Sequence, residues 1–351
     1  MKNKYLNYLY IPLIFIITRI LFIGIAYHNT GIYYEKFSDV FFIRDAEWYM
    51  LIANNGYTKT DEMAFFPLVP MLIKIIGPYA VILLNNILSI IIAFLLHKNY
   101  SHFSAIMFLV SPIQVFTFVL YTESLFITLT FLAYLLYKSK KYILSGTLLG
   151  LSIMCRSTGS MLFFAIAIVF IINVIKKKEK FSNMLIMFFP ATLIACIYPL
   201  LLQIKAGSWK MFITTQYENW DKIKGNIISI ILTDLEWIKP QTDFDSYICV
   251  FVSWFFILFT ITTFIKYKSM DFESILYFLF TLIITTSCMK KVNINLVPPS
   301  TSIFRYLIAA FPIYTAYYKT KNKIIKTVII FSFFIWNIFV SYSFLSIQKV
   351  V

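Results

Sequence analysis

The sequence predicts an all-α, polytopic membrane protein with about 11 transmembrane helices and a large first external loop. The 351 residues are 60% hydrophobic and only 13% charged, whereas a soluble domain is about half apolar and about a quarter charged. Apolar runs long enough to cross a bilayer recur along the whole chain. Lysines cluster in the short segments between these runs, which is typical of cytoplasmic loops.

The predicted spans divide a single domain, 1–351, into short connections and two longer polar stretches. The stretch 28–78 is predicted as the first external loop, and 204–245 as the second. Residues 64–76 are apolar but short and interrupted by proline, so we expect a re-entrant or interfacial helix there. The predicted spans are 8–27, 79–96, 103–120, 125–137, 142–155, 160–175, 181–203, 246–265, 272–289, 305–318 and 324–345.

Charge sets the predicted orientation in the membrane. The formal net charge of +15 would also suit nucleic-acid binding. We expect no nucleic-acid partner, because the lysines lie in short loops and fit the positive-inside rule with the N-terminus in the cytoplasm. The result is a multi-pass protein of the cell membrane whose external face carries Asp45, Glu123, Arg156, Trp220 and Arg305.

The first external loop carries a compact group of charged and aromatic residues just after the first span. Arg44, Asp45 and Glu47 lie beside Trp48 and Tyr49. Charged groups are costly near hydrocarbon, so a cluster of them at a membrane boundary indicates function. We expect Asp45 to carry the chemistry and the later loops to converge on it.

Several segments resemble the PIG-V family of mannosyltransferases. Residues 44–49 read Arg-Asp-Ala-Glu-Trp-Tyr, 52–57 read Ile-Ala-Asn-Asn-Gly-Tyr, and 64–70 read Ala-Phe-Phe-Pro-Leu-Val-Pro. One departure is Arg44, which stands where Trp often precedes the Asp and could alter the choice of acceptor. Further matches, in the family's order, are Tyr-Thr-Glu-Ser-Leu-Phe at 121–126, Ser-Gly at 145–146 with 148–151, Arg-Ser-Thr-Gly at 156–159, the weaker 216–220, and Ser302, Arg305, Tyr306, Phe311 and Pro312.

The resemblance implies a compact, prokaryotic member of the GT-C superfamily of integral membrane glycosyltransferases. Such an enzyme moves a hexose, with mannose favoured, from a polyprenyl-phosphate sugar donor to a glycan, lipid or protein acceptor on the external face. The resemblance also implies that the transfer inverts the anomeric centre and that Asp45 is the general base. A single displacement needs one carboxylate, whereas a retaining double displacement needs a second group close by.

Two other readings of these acids remain open. Asp45 could instead form an ion pair with Arg44 or cap a helix. Glu47 could orient the acceptor or bind a divalent cation, although an Asp-x-Glu spacing alone is a weak metal signal. The four cysteines and three histidines show no metal-ligand spacing. We expect no metal site and no cofactor, with a divalent cation the one alternative.

Two arginines are candidate ligands for the lipid phosphate. Arg156 and Arg305 offer a planar donor fork that suits phosphate oxygens, although either could snorkel to lipid headgroups instead. Lys290 and Lys291 are rivals for this role. Glu123 could hold one of these arginines in place or cap the helix that follows it.

Further substrate contacts are predicted from aromatic and polar residues. Trp48, Tyr49, Gln216 and Trp220 could stack on or bond to a sugar, but aromatic residues also form belts at membrane interfaces. Arg19, in the middle of the first span, is expected to be structural and to need a partner or water.

Two rival functions remain open at this point. A transporter or flippase of lipid-linked saccharides would use the same face without making a bond, and a glycan polymerase would use another lipid-linked chain as acceptor. No nucleotide-binding motif is present in the sequence, which agrees with a lipid-linked donor. Whether a partner subunit is required is left open.

Overall fold

The protein is a helical membrane protein. The computed structural model describes residues 8–30, 34–265, 270–291 and 298–346. It is 76% helical, and large apolar side chains such as Leu83 and Phe189 are 62% and 73% exposed on its outer helices. Among the described residues, the helical segments long and apolar enough to cross a membrane are Tyr10–Asn29, Pro78–Asn99, Phe181–Ala206, Phe244–Ile265 and Lys323–Leu345. The third of these consists of two consecutive helices that meet at Cys196.

The elements follow the chain in a simple order. A 3₁₀ turn at Phe37–Phe41 precedes α2, and a second at Thr60–Ala64 precedes α3. The strands β1 (Lys222–Lys224) and β2 (Cys288–Lys290) pair antiparallel. The helices are α1 Tyr10–Asn29, α2 Asp45–Asn55, α3 Leu68–Ile76, α4 Pro78–Asn99, α5 His102–Val110, α6 Ile113–Phe118, α7 Glu123–Lys138, α8 Tyr142–Cys155, α9 Gly159–Ile175, α10 Phe181–Ala195, α11 Ile197–Ala206, α12 Met211–Glu218, α13 Ile227–Ile238, α14 Phe244–Ile265, α15 Phe272–Thr286, α16 Ile303–Ile308, α17 Pro312–Thr315 and α18 Lys323–Leu345.

The predicted continuous helix at 103–120 is wrong, because the segment is broken into α5 and α6. Ser111 adopts an extended conformation with ψ of 156°, as expected for a residue before proline. Pro112 cannot donate a backbone hydrogen bond to Phe108. Instead, the Ser111 hydroxyl and the Gln114 amide donate to the Phe108 carbonyl at 2.8 Å and 3.0 Å. The break is therefore fully bonded inside the protein, as buried backbone requires.

The predicted continuous helix at 305–318 is also wrong. It consists of α16 and α17, and Pro312 begins the second piece. Since Pro312 has no N–H, the Ile308 carbonyl loses its helical partner. The Tyr314 hydroxyl donates to that carbonyl at 2.7 Å. Both broken segments are almost entirely buried, so they form the centre of the molecule while the long helices lie outside.

Two glycines bring α8 into backbone contact with α10. A Cβ atom on Gly146 would lie 1.9 Å from the Met187 carbonyl oxygen, and one on Gly150 would lie 2.8 Å from that of Ala191. The two glycines are one helical turn apart, the small-xxx-small spacing that allows close helix packing in membranes. This contact fixes the position of α8, whose last turn leads into Arg156.

Arg19 is buried in the helical interior, where neutral groups bind it. Its guanidinium donates to the Asn86 side chain at 2.9 Å, the Gln114 carbonyl at 3.0 Å and the Thr117 hydroxyl at 2.9 Å. Within the described ranges it forms no ion pair with an acid. Since two of these groups belong to α6, Arg19 holds that short helix in place. Arg19 therefore has the partners that a charged residue in the middle of a span needs.

Candidate active site

Asp45 is the first residue of α2, and a strained residue places it there. Arg44 has φ of 61° and ψ of −119°, a conformation that costs a non-glycine residue on the order of 1–3 kcal/mol. Contacts from the end of α18 support it, because Arg44 donates to the Phe344 carbonyl at 3.2 Å and lies 5.2 Å from the Phe344 ring. Strained backbone of this kind concentrates at functional sites.

The Asp45 carboxylate forms an ion pair with Arg305. Nη1 of Arg305 donates to Oδ2 of Asp45 at 2.7 Å. The Arg305 side chain is 5% exposed and that of Asp45 is 21% exposed. In the described part of the chain, the other oxygen, Oδ1, accepts no hydrogen bond. Asp45 is thus held by one oxygen and open at the other, a geometry that suits accepting a proton from a bound hydroxyl.

A buried ion-pair network continues inward from Asp45. Nε of Arg305 and Nη1 of Arg156 both donate to Oε1 of Glu123. The Glu123 side chain is fully buried, and that of Arg156 is 8% exposed. Asp45, Arg305, Glu123 and Arg156 are called the four-residue network below. It joins α2, α16, α7 and the end of α8, and its formal charges cancel. Glu123 therefore holds arginines in place, one of its two predicted roles.

Aromatic rings lie against both guanidinium groups. The Arg305 guanidinium lies 4.5 Å from the Tyr121 ring and 4.9 Å from the Phe116 ring. That of Arg156 lies 4.6 Å from the Tyr306 ring. Such contacts stabilise a cation most where water is excluded. Phe116 belongs to α6, so the helix bound by Arg19 also packs against the network.

The loop before α16 sets the position of Arg305. Ser302 adopts a left-handed conformation with φ of 66°. Two residues earlier, both backbone polar groups of Ser300 are hydrogen-bonded to side chains. Asp234 accepts from the Ser300 N–H at 3.1 Å, and the Ser253 hydroxyl donates to the Ser300 carbonyl at 3.2 Å. Trp254 also donates to Asp234 at 2.9 Å. The sequence does not single out Asp234, because one acid in a long polar stretch gives no signal.

Three aromatic rings pack together beside the first turn of α2. The Trp48 ring lies 5.7 Å from Phe65 and 5.6 Å from Trp220, and Phe65 and Trp220 are 5.4 Å apart. Tyr49 packs edge-on against Phe65 at 5.5 Å. Trp48 follows Asp45 by three positions, so both lie on one helix face. The predicted contacts Trp48, Tyr49 and Trp220 are thus brought together, with Phe65 as their centre.

Two of the predicted site residues lie outside these contacts. Glu47 is exposed and forms no ion pair within the described ranges. Gln216 is half-buried on α12, whose neighbours Thr215 and Asn219 bond to residues 60 and 61. Among the described residues, no group of three His, Cys, Asp or Glu side chains could hold a metal ion. Asp45 and Glu47 are the two carboxylates of the first turn of α2.

A lysine-rich two-stranded ribbon lies next to the aromatic rings. Lys222 pairs with Lys290 across β1 and β2, and Lys224 pairs with Cys288. Lys290 donates from Nζ to the Trp220 carbonyl at 2.7 Å and lies 5.4 Å from the Trp220 ring. The sequence predicts a polar loop where the first strand lies and the end of a span where the second lies. Three-residue strands that face each other across more than 60 positions leave no periodic pattern to detect.

Comparison of the chain with family models, with curated proteins and with solved structures gives no match in any of the three. Function is therefore inferred from the chemistry of the site and from the sequence motifs that form it.

Proposed function

We propose that the protein is a membrane glycosyltransferase of the PIG-V and GT-C type, with Asp45 as its general base. The observation that carries the proposal is the Asp45 carboxylate, fixed through Oδ2 by Arg305 and partly exposed at the end of a buried ion-pair network. A reaction that removes one proton needs one oriented, accessible carboxylate. The motifs that resemble the PIG-V family contain all four residues of this network.

The proposed reaction is a single displacement on a polyprenyl-phosphate hexose, with mannose the favoured sugar. The acceptor hydroxyl oxygen attacks the anomeric carbon and its proton passes to Oδ1 of Asp45. The bond from that carbon to the phosphate oxygen breaks with its electron pair, and polyprenyl phosphate leaves. The configuration at the anomeric carbon inverts because attack and departure occur on opposite faces.

The residues around Asp45 have supporting roles in this proposal. Arg305 orients the carboxylate, and Glu123 with Arg156 orients Arg305. Trp48, one helical turn from the base, and Trp220, which packs against it, offer apolar ring faces for the sugar. The acceptor is a glycan, lipid or protein on the external side, the N-terminus is cytoplasmic, and the number of spans is about 11 as the hydropathy pattern predicts.

The experiment uses purified protein in detergent with radiolabelled polyprenyl-phosphate mannose and a membrane lipid extract from the source cell. Wild-type protein should move label into a new product, and Asp45→Asn should not. Glu236→Gln, which neutralises an exposed acid on α13, is the matched control and should be as active as wild type. Size-exclusion elution and unfolding temperature establish that each variant is folded.

The outcomes separate the proposal from its rivals. Equal activity of folded Asp45→Asn overturns the assignment of the base. If neither protein moves label but reconstituted vesicles carry the lipid across the bilayer, the flippase function is correct. If the acceptor of the label is a second lipid-linked chain that grows stepwise, the protein is a polymerase.

A further inference from the structure

Three lysines share one face of the two-stranded ribbon. Lys222 and Lys290 are direct cross-strand partners, so their side chains point to the same side. Lys224 lies two residues from Lys222 and therefore also points to that side. Lys291 continues the second strand, and its N–H donates to the Asp221 carbonyl at 2.7 Å. These four residues, Lys222, Lys224, Lys290 and Lys291, are called the basic ribbon.

The arrangement is unfavourable for the protein alone. Like charges directly opposite each other in an antiparallel pair are destabilising, since their Cβ atoms are only about 4.5–5.5 Å apart. Within the described ranges no carboxylate lies at ion-pair distance from any lysine of the basic ribbon. The sequence that follows Lys291, Val-Asn-Ile-Asn-Leu-Val at 292–297, contains no acid. An anion from outside the chain would remove this repulsion.

Lys290 is the member of the ribbon that is most restricted. Its Nζ is held by the Trp220 carbonyl and lies against the Trp220 ring. Burial lowers the pKa of Lys290, the charge of Lys222 lowers it further, and the charge of Asp221 raises it in part. Asp221, which precedes the first strand, has φ of 50°, so backbone strain occurs at the ribbon as well as at Arg44 and Ser302. A half-buried ammonium with a perturbed pKa is a candidate for a ligand site.

The ribbon is connected to the catalytic residues on both sides. Trp220 packs against Trp48, one turn from Asp45 on α2. The Lys290 N–H donates to the Pro299 carbonyl at 3.1 Å, in the loop that leads to Arg305. An anion bound to the basic ribbon would therefore lie beside the aromatic rings that border the proposed base.

The arginines of the network are already engaged by carboxylates. Arg305 binds both Asp45 and Glu123, and Arg156 binds Glu123. If either turned to a phosphate, Glu123 would be left buried with one partner fewer. Removing a partner from a buried ion pair is strongly destabilising, because the remaining charge is left uncompensated. These residues are therefore better suited to orienting the base than to holding the donor.

We propose that the basic ribbon binds the phosphate of the polyprenyl-phosphate donor through Lys222 and Lys290, while Arg156 and Arg305 position Asp45. This inference rests on the proposed function for the identity of the donor. The ligand that the ribbon recognises is an anionic phosphate ester at the membrane surface. Both the donor and the bulk anionic lipids carry such a group. In the proposed reaction the lysines bind the phosphate in the donor and in the departing polyprenyl phosphate alike.

The experiment measures equilibrium binding of radiolabelled farnesyl phosphate to the full-length protein in a neutral detergent. Wild type, Lys222→Gln and Lys290→Gln are compared with Lys239→Gln, which removes an exposed lysine just after α13. Unlabelled farnesol, inorganic phosphate and phosphatidylglycerol are tested as competitors. Unfolding temperatures are measured with and without farnesyl phosphate.

We expect Lys222→Gln and Lys290→Gln each to weaken farnesyl phosphate binding at least about tenfold, since each removes a charge-assisted hydrogen bond. Lys239→Gln should bind like wild type. Without ligand, Lys222→Gln should unfold at the same temperature as wild type or higher, because it removes repulsion. A lysine with a purely structural role would not combine higher stability with weaker binding.

Several results would overturn the proposal. One is equal binding of farnesyl phosphate by wild type and both ribbon variants. Another is competition by phosphatidylglycerol at the same concentration as farnesyl phosphate, which would make the ribbon a general contact for anionic lipids. Lysine-dependent binding without any sugar transfer would contradict the proposed function but keep the phosphate site. Sugar transfer with an unchanged KM in both variants would contradict the site but keep the function.

Discussion

Arg156 and Arg305 donate hydrogen bonds to the same oxygen atom, Oε1 of Glu123. The negative charge of one buried carboxylate is therefore shared by two guanidinium groups. These come from segments about 150 residues apart. Asp45 supplies the second negative charge from the edge of the site. The arrangement makes the orientation of the proposed base depend on an acid that does not contact it.

Glu123→Gln should destabilise the protein by about 3–5 kcal/mol, because it leaves two buried guanidinium groups with one carboxylate fewer. The measurement is thermal unfolding in detergent. Glu236→Gln, at an exposed position of α13, is the matched control and should unfold like wild type. An unfolding temperature for Glu123→Gln equal to that of the control would show that the ion pairs contribute nothing to stability.

Arg305→Lys should lower sugar transfer more than it lowers stability. A lysine keeps the positive charge, but one ammonium cannot reach Asp45 and Glu123 in the fork geometry of arginine. Loss of the correct orientation of a catalytic group costs roughly 100-fold in rate. The turnover number in the radiolabel assay is the readout. Arg156 bonds to Glu123 and not to Asp45, so Arg156→Lys should keep more of the activity. The opposite order would refute this division of roles.

Gly146→Ala should destabilise the contact between α8 and α10. The added methyl would start 1.9 Å from the Met187 carbonyl oxygen, so the two helices must separate, and overpacking of this kind costs about 1–3 kcal/mol. Gly24→Ala is the contrasting variant, because it meets nothing within 4 Å and lies inside α1. It should stabilise its helix by about 1 kcal/mol. The unfolding temperatures of both variants are measured by thermal unfolding. Equal changes in the two unfolding temperatures would contradict the prediction.

Asp234 should make stability depend on pH in an unusual direction. Burial raises the pKa of Asp234 from 3.8 to about 6. The pKa of this carboxyl is higher in the folded than in the unfolded protein. Its contribution to the free energy of unfolding is therefore fully present below about pH 3.8 and is lost as the pH rises through about 6. A shift of this size corresponds to up to about 3 kcal/mol.

The test of this effect compares unfolding temperatures at pH 7 and pH 5 for wild type and Asp234→Asn. Wild type should gain more stability on acidification than the variant, which has no carboxyl to titrate at this position. Asp234→Asn should also be less stable at both values, because an amide cannot accept from both Trp254 and Ser300 as a carboxylate does. Parallel pH responses of the two proteins would rule out Asp234 as the titrating group.

The helical class and the members of the four-residue network could be predicted from the sequence. Apolar runs predict membrane helices directly. The motifs at 44–49, 121–126, 156–159 and 302–312 contain Asp45, Glu123, Arg156 and Arg305. The pairing among them could not be predicted. Partners separated by 33, 182 and 260 positions meet only through helix packing, and an arginine suited to phosphate is equally suited to a carboxylate.

The two broken helices show a different limit of sequence reasoning. The apolar run continues from α5 into α6 and from α16 into α17. A prediction from hydropathy therefore gives one helix in each case. The signals for the breaks, Pro112 and Pro312, are visible in the sequence. What decides whether a proline breaks a helix is whether other groups can bond to the freed carbonyl. Here Gln114 and Tyr314 do so, and that depends on the fold.

The neutral partners of Arg19 have a consequence for biogenesis. They lie 67, 95 and 98 positions further along the chain, so the ribosome has not yet made them when the first helix reaches the translocon. An unpartnered arginine at the centre of a helix costs about 2.5–3.5 kcal/mol on the insertion scale. We expect the first helix to remain poorly anchored during synthesis and to settle into the bilayer only after α4 and α6 have emerged. Translation stalled before that point should leave the amino-terminal segment extractable, and stalling after it should not.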